Sequence, residues 1–233
     1  MMTLDKLSFA SAMKLRSLLL ISLCMSLCSC FEIIEEVDLN SDGSGKYEYT
    51  INMSQSRTKL DQIIRLDSIN GYRVPKKSEL KEPLEELIAK ANGISGISNA
   101  QKSEDFENYI MSFTCDFADI DALNRLVTEL RKGNKKVRSD IPEVHFSYDA
   151  ASKRYIRNGD YSIQADFAQV KEADKVIFDG ATFTSIFRSD SELTSYSNNN
   201  ARLSPNKKAL MLKMQVLDLI NEKVTMGNTI QLQ

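Results

Sequence analysis

The stretch Met13–Cys30, M-K-L-R-S-L-L-L-I-S-L-C-M-S-L-C-S-C, decides which part of the 233-residue chain has to fold. Lys14 and Arg16 form a basic head, Leu18–Leu27 is an apolar run of ten residues, and small Ser29 precedes Cys30. Such a run has the length of a secretory signal core and is about half of what a bilayer-spanning helix needs. A buried core helix would not combine a basic head, a greasy run and a small-residue cut site; an uncleaved anchor is the competing reading. Met1–Ala12 carries Asp5 and reads poorly as a basic head, which makes Met13 the expected start. With either start, residues 1–29 read as a signal peptide and 30–233 as a single α+β domain.

The tetrapeptide Leu27-Cys28-Ser29-Cys30 resembles the lipobox of bacterial lipoproteins, with Leu three places before the acceptor and a small residue immediately before it. Cys28 departs mildly from the usual Ala, Ser or Thr. The resemblance implies cleavage between Ser29 and Cys30, a diacylglycerol on the Cys30 sulfur, and acylation of the freed amine by a fatty acid such as palmitate. Cys24 and Cys28 follow the bulky Leu23 and Leu27 and fail as acceptors. Each buried methylene contributes about 0.8 kcal/mol, so two or three acyl chains hold a soluble domain on a bilayer without any transmembrane helix. Phe31 occupies the place where Asp would resemble the inner-membrane retention signal of enterobacteria, which implies the outer membrane. Glu32, Glu35 and Glu36 loosely resemble the surface-export signals of Bacteroidota lipoproteins; as the wet face of a first strand they are equally well explained. The side of the membrane, periplasm or cell surface, stays open.

Loss of the leader removes Lys6, Lys14 and Arg16 against Asp5 and takes the formal charge from −2 to −4. A mildly acidic chain without a basic patch argues against nucleic acid, and the lack of a polybasic run argues against capture by anionic lipid. Some 200 residues are ample for a core. Of the four cysteines only Cys115 is left, so no intramolecular disulfide is expected. In Tyr109–Phe117 the odd positions Tyr109, Met111, Phe113, Cys115 and Phe117 are apolar and the even ones polar, which makes Cys115 a core hydrophobe rather than a reactive thiol.

Phe31–Leu39 alternates Phe31, Ile33, Val37 and Leu39 against Glu32, Glu36 and Asp38. Lys46–Met53 alternates Tyr47, Tyr49, Ile51 and Met53 against polar partners. With Ser41–Gly45 between them, the two segments predict a β-hairpin. It starts so close to Cys30 that almost no linker separates lipid from fold. Helices are expected over Ser54–Asn70, stopped at Gly71, over about Pro83–Ala91, and after Asp119 or Asp121 with Leu123, Leu126, Val127 and Leu130 as a stripe. Ile94–Lys102 and Phe106–Phe117 read as a second hairpin turned at Ser103–Asp105. Val144, Phe146 and Tyr148 alternate with His145, Ser147 and Asp149, which places the only histidine on a polar face. Lys153–Asn158, Ala181–Arg188, Leu193–Ser197, Ala209–Val216 and Thr225–Leu232 read as strands, Leu217–Asn221 as a short helical crossing, and Asp160–Lys175 as helix or irregular chain. The result is a largely antiparallel sheet built from hairpins with about three helices packed on it.

Chemical motifs are scarce. No G-x-S-x-G, H-E-x-x-H, Walker loop or G-x-G-x-x-G occurs, and one histidine leaves His145 as the sole centre around which a triad could form. Asp38-x-Asn40-x-Asp42-Gly43 matches half of an EF-hand loop, but Tyr49 stands where the bidentate Glu belongs, and a hairpin turn accounts for every residue. Capping and a polar strand face account for Asp116, Asp119 and Asp121. Neither catalytic, cofactor-binding nor metal-ligating residues are expected. Lys132–Arg138 is a short basic loop that is either simply solvated or touches lipid headgroups.

A further resemblance rests on D-G-S-G at the first hairpin, Y-x-Y-T-I-x-M after it, and N-x-x-A-x-L-S-x-x-x-K-x-L from Asn198 to Leu210. With the lipobox these pieces look like uncharacterised lipoproteins of Bacteroidota-type bacteria, and more distantly like the LppM-like lipoproteins, a membrane-anchored α+β module. The similar pieces cover about the first thirty mature residues and the last fifty, and they bring no catalytic motif with them.

Three functions follow as expectations. The first is a non-catalytic envelope lipoprotein presenting a surface to envelope proteins, peptidoglycan or lipid. The second is a carrier or sensor of an apolar ligand, favoured by an open apolar cavity between sheet and helices and opposed by a packed core. The third is an envelope hydrolase using carboxylates such as Glu107 or Asp116, which would have to lie within roughly 5–10 Å of each other in a cleft. Oligomeric state is not legible.

Overall fold

The strictest alternation in the chain builds the centre of the structure. In the computed structural model, which describes residues 31–69, 71–76, 79, 81–132, 144–159 and 163–233, strands β1 (Glu32–Leu39) and β2 (Gly45–Asn52) pair antiparallel, with Val37 opposite Tyr47 and Ile33 opposite Ile51. Asn40–Gly45 makes the turn: Gly43 has φ +89°, and Asp42 accepts from the amide and hydroxyl of Ser44.

A 3-10 turn at Ser54–Ser56 leads into α1 (Arg57–Ile63). This helix ends well before Gly71, where the sequence placed its stop. Gly71, at φ +82°, instead turns a two-stranded ribbon, β3 (Ser68–Ile69) with β4 (Tyr72–Arg73). Helix α2 (Glu82–Asn92) starts with Pro83 in its first turn, as the missing proline N–H permits. Strands β5 (Ile97–Asp105) and β6 (Ile110–Phe117) follow. Their turn lies at residues 106–109 rather than at Ser103–Asp105, because the Asp105 carboxylate accepts from the amides of Glu107 and Asn108, both at 2.9 Å, and Tyr109 takes φ +56°. Helix α3 (Ile120–Lys132) is capped by Asp119, whose carboxylate accepts from the Ala122 amide at 2.7 Å, and buries Leu123, Leu126 and Val127.

The second half of the chain contributes β7 (Phe146–Asp149), β8 (Arg154–Arg157), α4 (Gln164–Ala168), α5 (Glu172–Lys175), a 3-10 turn at Val176–Phe178, β9 (Thr182–Ser189), β10 (Leu193–Tyr196), β11 (Arg202–Leu203), β12 (Ala209–Gln215), α6 (Val216–Ile220) and β13 (Asn228–Leu232). Seven strands form one sheet in the order β11-β12-β9-β1-β2-β6-β5, and four form another, β10-β13-β8-β7. Among the described residues all pairings are antiparallel except β1 with β9, which run parallel through the middle of the large sheet. The α+β class and the antiparallel bias stand. The helices are more numerous than the three expected, since α4, α5 and α6, of five residues or fewer, add to the longer ones.

One face of the large sheet carries the core. The small sheet covers its β1–β9–β12 half, where Tyr155 of β8 stacks on Phe187 of β9 with centroids 4.4 Å apart. Helices α2 and α3 cover the β2–β6–β5 half. Cys115 is fully buried there, as its strand parity required, and burial pushes its thiol pKa up to about 12, with a smaller push from Asp116. On β12, Leu210, Leu212 and Met214 point inward while Met211, Lys213 and Gln215 are exposed.

Two expectations are overturned by this packing. His145 is not on a polar face: it is 3% exposed, while Val144, assigned to the apolar side, is 51% exposed. Strand β7 starts only at Phe146, and Asn124 of α3 accepts from the amides of both His145 and Phe146, at 2.8 and 2.9 Å, drawing two consecutive residues inside. Glu35 is likewise not on the wet face of β1: it is 4% exposed.

Candidate functional site

Side chains alternate across a strand, so register alone lines up the inner face of the large sheet in rows. Phe183, Ile33, Ile51 and Met111 form the first row across β9, β1, β2 and β6. Glu35, Tyr49 and Phe113 form the next, and Val37, Tyr47 and Cys115 the third. The third row is covered tightly. The first two are not, and a cavity of about 550 Å³ opens between them and the helices.

Its floor is Ile33, Tyr49, Ile51, Met111, Phe113 and Phe183. Its roof is Leu84 and Leu87 of α2, Val127 and Leu130 of α3, Leu219 of α6, and Met226. Leu84 and Leu87, like Val127 and Leu130, are three apart, so α2 and α3 each turn one apolar stripe to the space. The volume falls within the range of about 300–1,000 Å³ typical of small-molecule sites, and the lining is overwhelmingly apolar.

A single charged pair interrupts that lining. Arg157 at the end of β8 donates from Nε at 2.7 Å and from Nη2 at 2.5 Å to Oε2 of Glu35, and the Tyr47 hydroxyl donates to Oε1 at 3.5 Å. The guanidinium also lies over the rings of Phe146 and Phe183, at 5.7 and 5.5 Å from their centroids. Tyr155 nearby has its phenol pKa raised, first by burial and then by Glu35, against the pull of Arg157. The arrangement offers an apolar chamber with one fixed polar point.

The residues singled out by sequence fall elsewhere. Ser29 and Cys30, the expected cleavage and lipidation positions, lie outside the described residues, as does most of the basic loop, 133–138; the described chain begins at Phe31, one residue after Cys30. Glu107 sits in the β5–β6 turn and Asp116 near the far end of β6, bonded to Asn99 at 2.6 Å, so the two carboxylates do not share a cleft. His145 Nε2 lies 3.4 Å from the Thr128 hydroxyl inside the α3–β7 contact, away from the cavity. Among the described residues no three His, Cys, Asp or Glu side chains gather as a metal site would need, and no helix is long and apolar enough to cross a membrane. Sequence reasoning missed Glu35 and Arg157; parity was the available signal for Glu35, which shares the odd positions of Ile33, Val37 and Leu39.

No family model matches the chain, and no curated protein matches it. Among solved structures it is similar to the folded domain of Mycobacterium tuberculosis LppM, determined by NMR, at 9% sequence identity over 88% of this chain and 90% of that one, with a TM-score of 0.43.

Proposed function

We propose that this chain is a lipid-anchored, non-catalytic envelope lipoprotein whose domain holds an apolar ligand, in the manner of a carrier or sensor. The observation that carries the reading is the cavity of about 550 Å³ between the large sheet and α2, α3 and α6, with its apolar lining. A packed core would have left no such space. Attachment through Cys30 is supported by the basic head, apolar run and small Ser29 before Cys30, and the outer membrane by Phe31 in the place where a retention Asp would stand. Its ligand has an apolar body that fills the chamber and a polar end that meets Glu35 and Arg157. Partners at the surface, such as envelope proteins, are secondary in this reading.

Binding is tested with cis-parinaric acid, whose emission rises in apolar surroundings, added to the full chain. Met111→Trp fills the chamber and should weaken binding about tenfold or more, whereas Met211→Trp, on the open face of the sheet, should not. Equal binding by both variants, or none by the unmodified protein, sinks the ligand reading and leaves the protein-interaction module. Anchoring is tested separately by metabolic labelling with an alkyne fatty acid: Cys30→Ala should lose both label and membrane association. Retention of the unlabelled mutant in the membrane would mean that Leu18–Leu27 is an uncleaved anchor.

A further inference from the structure

Exposed large hydrophobic side chains are not scattered over this molecule. Of the eight among the described residues, five (Leu66, Ile69, Tyr72, Val176 and Ile177) belong to two segments joined at one end of the fold. Val176 and Ile177 are 66% and 51% exposed in the 3-10 turn before β9. The third residue of that turn, Phe178, packs edge-on against Phe31 at 5.9 Å and against Phe167 at 5.3 Å. Lys171, whose carbonyl starts α5, extends its ammonium over the Tyr72 ring at 4.2 Å, and Tyr72 pairs with Ile69 across the β3–β4 ribbon. The apolar rim therefore runs from the ribbon across α5 to Phe31, the first described residue after Cys30.

An apolar patch of this kind marks a contact surface. What covers it follows from where the chain enters: no linker lies between Phe31 and Cys30, so acyl chains on Cys30 would emerge at this rim and nowhere else on the fold. Val, Ile, Leu and Tyr side chains accompanied by the ammonium of Lys171 are the composition of a surface that enters the headgroup and upper acyl region of a bilayer, while Lys175 beside them is paired with Glu172. We propose that this rim seats on the membrane that holds the Cys30 acyl chains, so that the large sheet stands with the first residues of β1 at the bilayer and the Asn40–Gly45 turn pointing away. The proposal rests on the anchoring of Cys30. Ile33, Ile51 and Met111 of the cavity lie at the membrane end of their strands, and β1, at about 3.3 Å per residue over eight residues, holds the opposite turns roughly 26 Å higher.

The chain contains no tryptophan, so a single introduced one reports its own depth. Ile177→Trp at the rim and Pro205→Trp at an exposed turn of the opposite end are expressed as full-length, lipidated proteins. Each is reconstituted in vesicles of phosphatidylethanolamine and phosphatidylglycerol, with or without bromine on the acyl chains. In the seated orientation Ile177→Trp emission shifts to the blue and is largely lost with brominated lipid, while that of Pro205→Trp is unchanged. If both proteins float with the vesicles and neither is quenched, the domain hangs free and the proposal is overturned. Quenching of both means that the domain lies on its side, which also overturns it. Failure of both to float shows instead that the Cys30 anchor is wrong, and the seating falls with it.

Discussion

Glu35 of β1 and Arg157 of β8 are 122 positions apart in the chain, and the two guanidinium nitrogens Nε and Nη2 converge on one oxygen of the glutamate. Their side chains are 5% and 7% exposed, so this ion pair is a buried link between the two sheets and the polar wall of the cavity. Water is nearly excluded, and each charge has lost most of its hydration in exchange for the other.

That exchange makes the pair costly to break and cheap to replace. Glu35→Leu leaves Arg157 charged and unpaired in the interior, and should lower unfolding stability by about 3–5 kcal/mol. The double variant Glu35→Leu/Arg157→Met removes both desolvation costs and should recover most of that loss or exceed the parent by about 1–4 kcal/mol. Urea titrations of the three proteins measure both numbers. A double variant as unstable as the single one would show that the pair contributes through packing that Leu and Met do not reproduce.

The cap of α3 distinguishes two neighbouring aspartates that look alike in the sequence. Asp119→Ala removes the acceptor of the Ala122 amide and should cost about 0.5–2 kcal/mol. Asp121 lies in the first turn without capping it, so Asp121→Ala loses only a favourable charge at the helix start, about 0.3–1 kcal/mol. Thermal unfolding of the two variants side by side should rank Asp119→Ala as the less stable.

Cys115 gives a pH dependence of known sign. Its thiol titrates near 9 when free and is pushed up to about 12 by burial in the fold. Below about pH 9 the thiol is neutral in both states and its contribution is complete. Between about 9 and 12 the unfolded chain releases the proton and the native one holds it, so stability falls as pH rises, by up to roughly 1.4 kcal/mol per pH unit. Denaturant midpoints of the parent should therefore drop relative to Cys115→Ala from pH 8 to pH 10.5, and parallel curves would contradict the burial of the thiol.

Two glycines should respond unequally to alanine. A Cβ at Gly45 would stand 2.0 Å from the Asp38 carbonyl oxygen of β1 and 2.5 Å from Cζ of Phe117 of β6, the two strands that flank it, so Gly45→Ala should cost about 3 kcal/mol or more. A Cβ at Gly71 meets nothing within 4 Å, and Gly71→Ala carries only the penalty of φ +82°, about 1–2 kcal/mol. Circular dichroism melts of both variants test the order.

Strand parity was the most legible feature. Alternation in β1, β2, β6 and β12 identified the inner faces correctly down to Cys115, and the 3-4 spacing of Leu123, Leu126 and Val127 found the buried stripe of α3. Parity failed where a side chain's chemistry argued against its position. Glu35 occupies an inward odd position, and carboxylates normally go outward; only a guanidinium delivered by a strand far along the chain makes the inward choice tolerable. Alternation does not hold at His145, which precedes the start of β7 and whose amide, with that of Phe146, donates to the Asn124 side chain. The chain reverses at residues 106–109 and not at Ser103–Asp105 because the Asp105 side chain, rather than the polarity of the segment, decides the place.

By itself, then, the amino-acid order determined what is local: the faces of most strands, the cap and buried stripe of α3, and the α+β class. Each follows from periodicity or from residues within a few positions of one another. Tertiary structure alone decided the parallel pairing of β1 with β9, the opposition of the two sheets, the pairing of Glu35 with Arg157 and the space left under α2, α3 and α6. Those depend on distant segments meeting, and the fit between their surfaces is a property of the assembled core that no window of sequence contains.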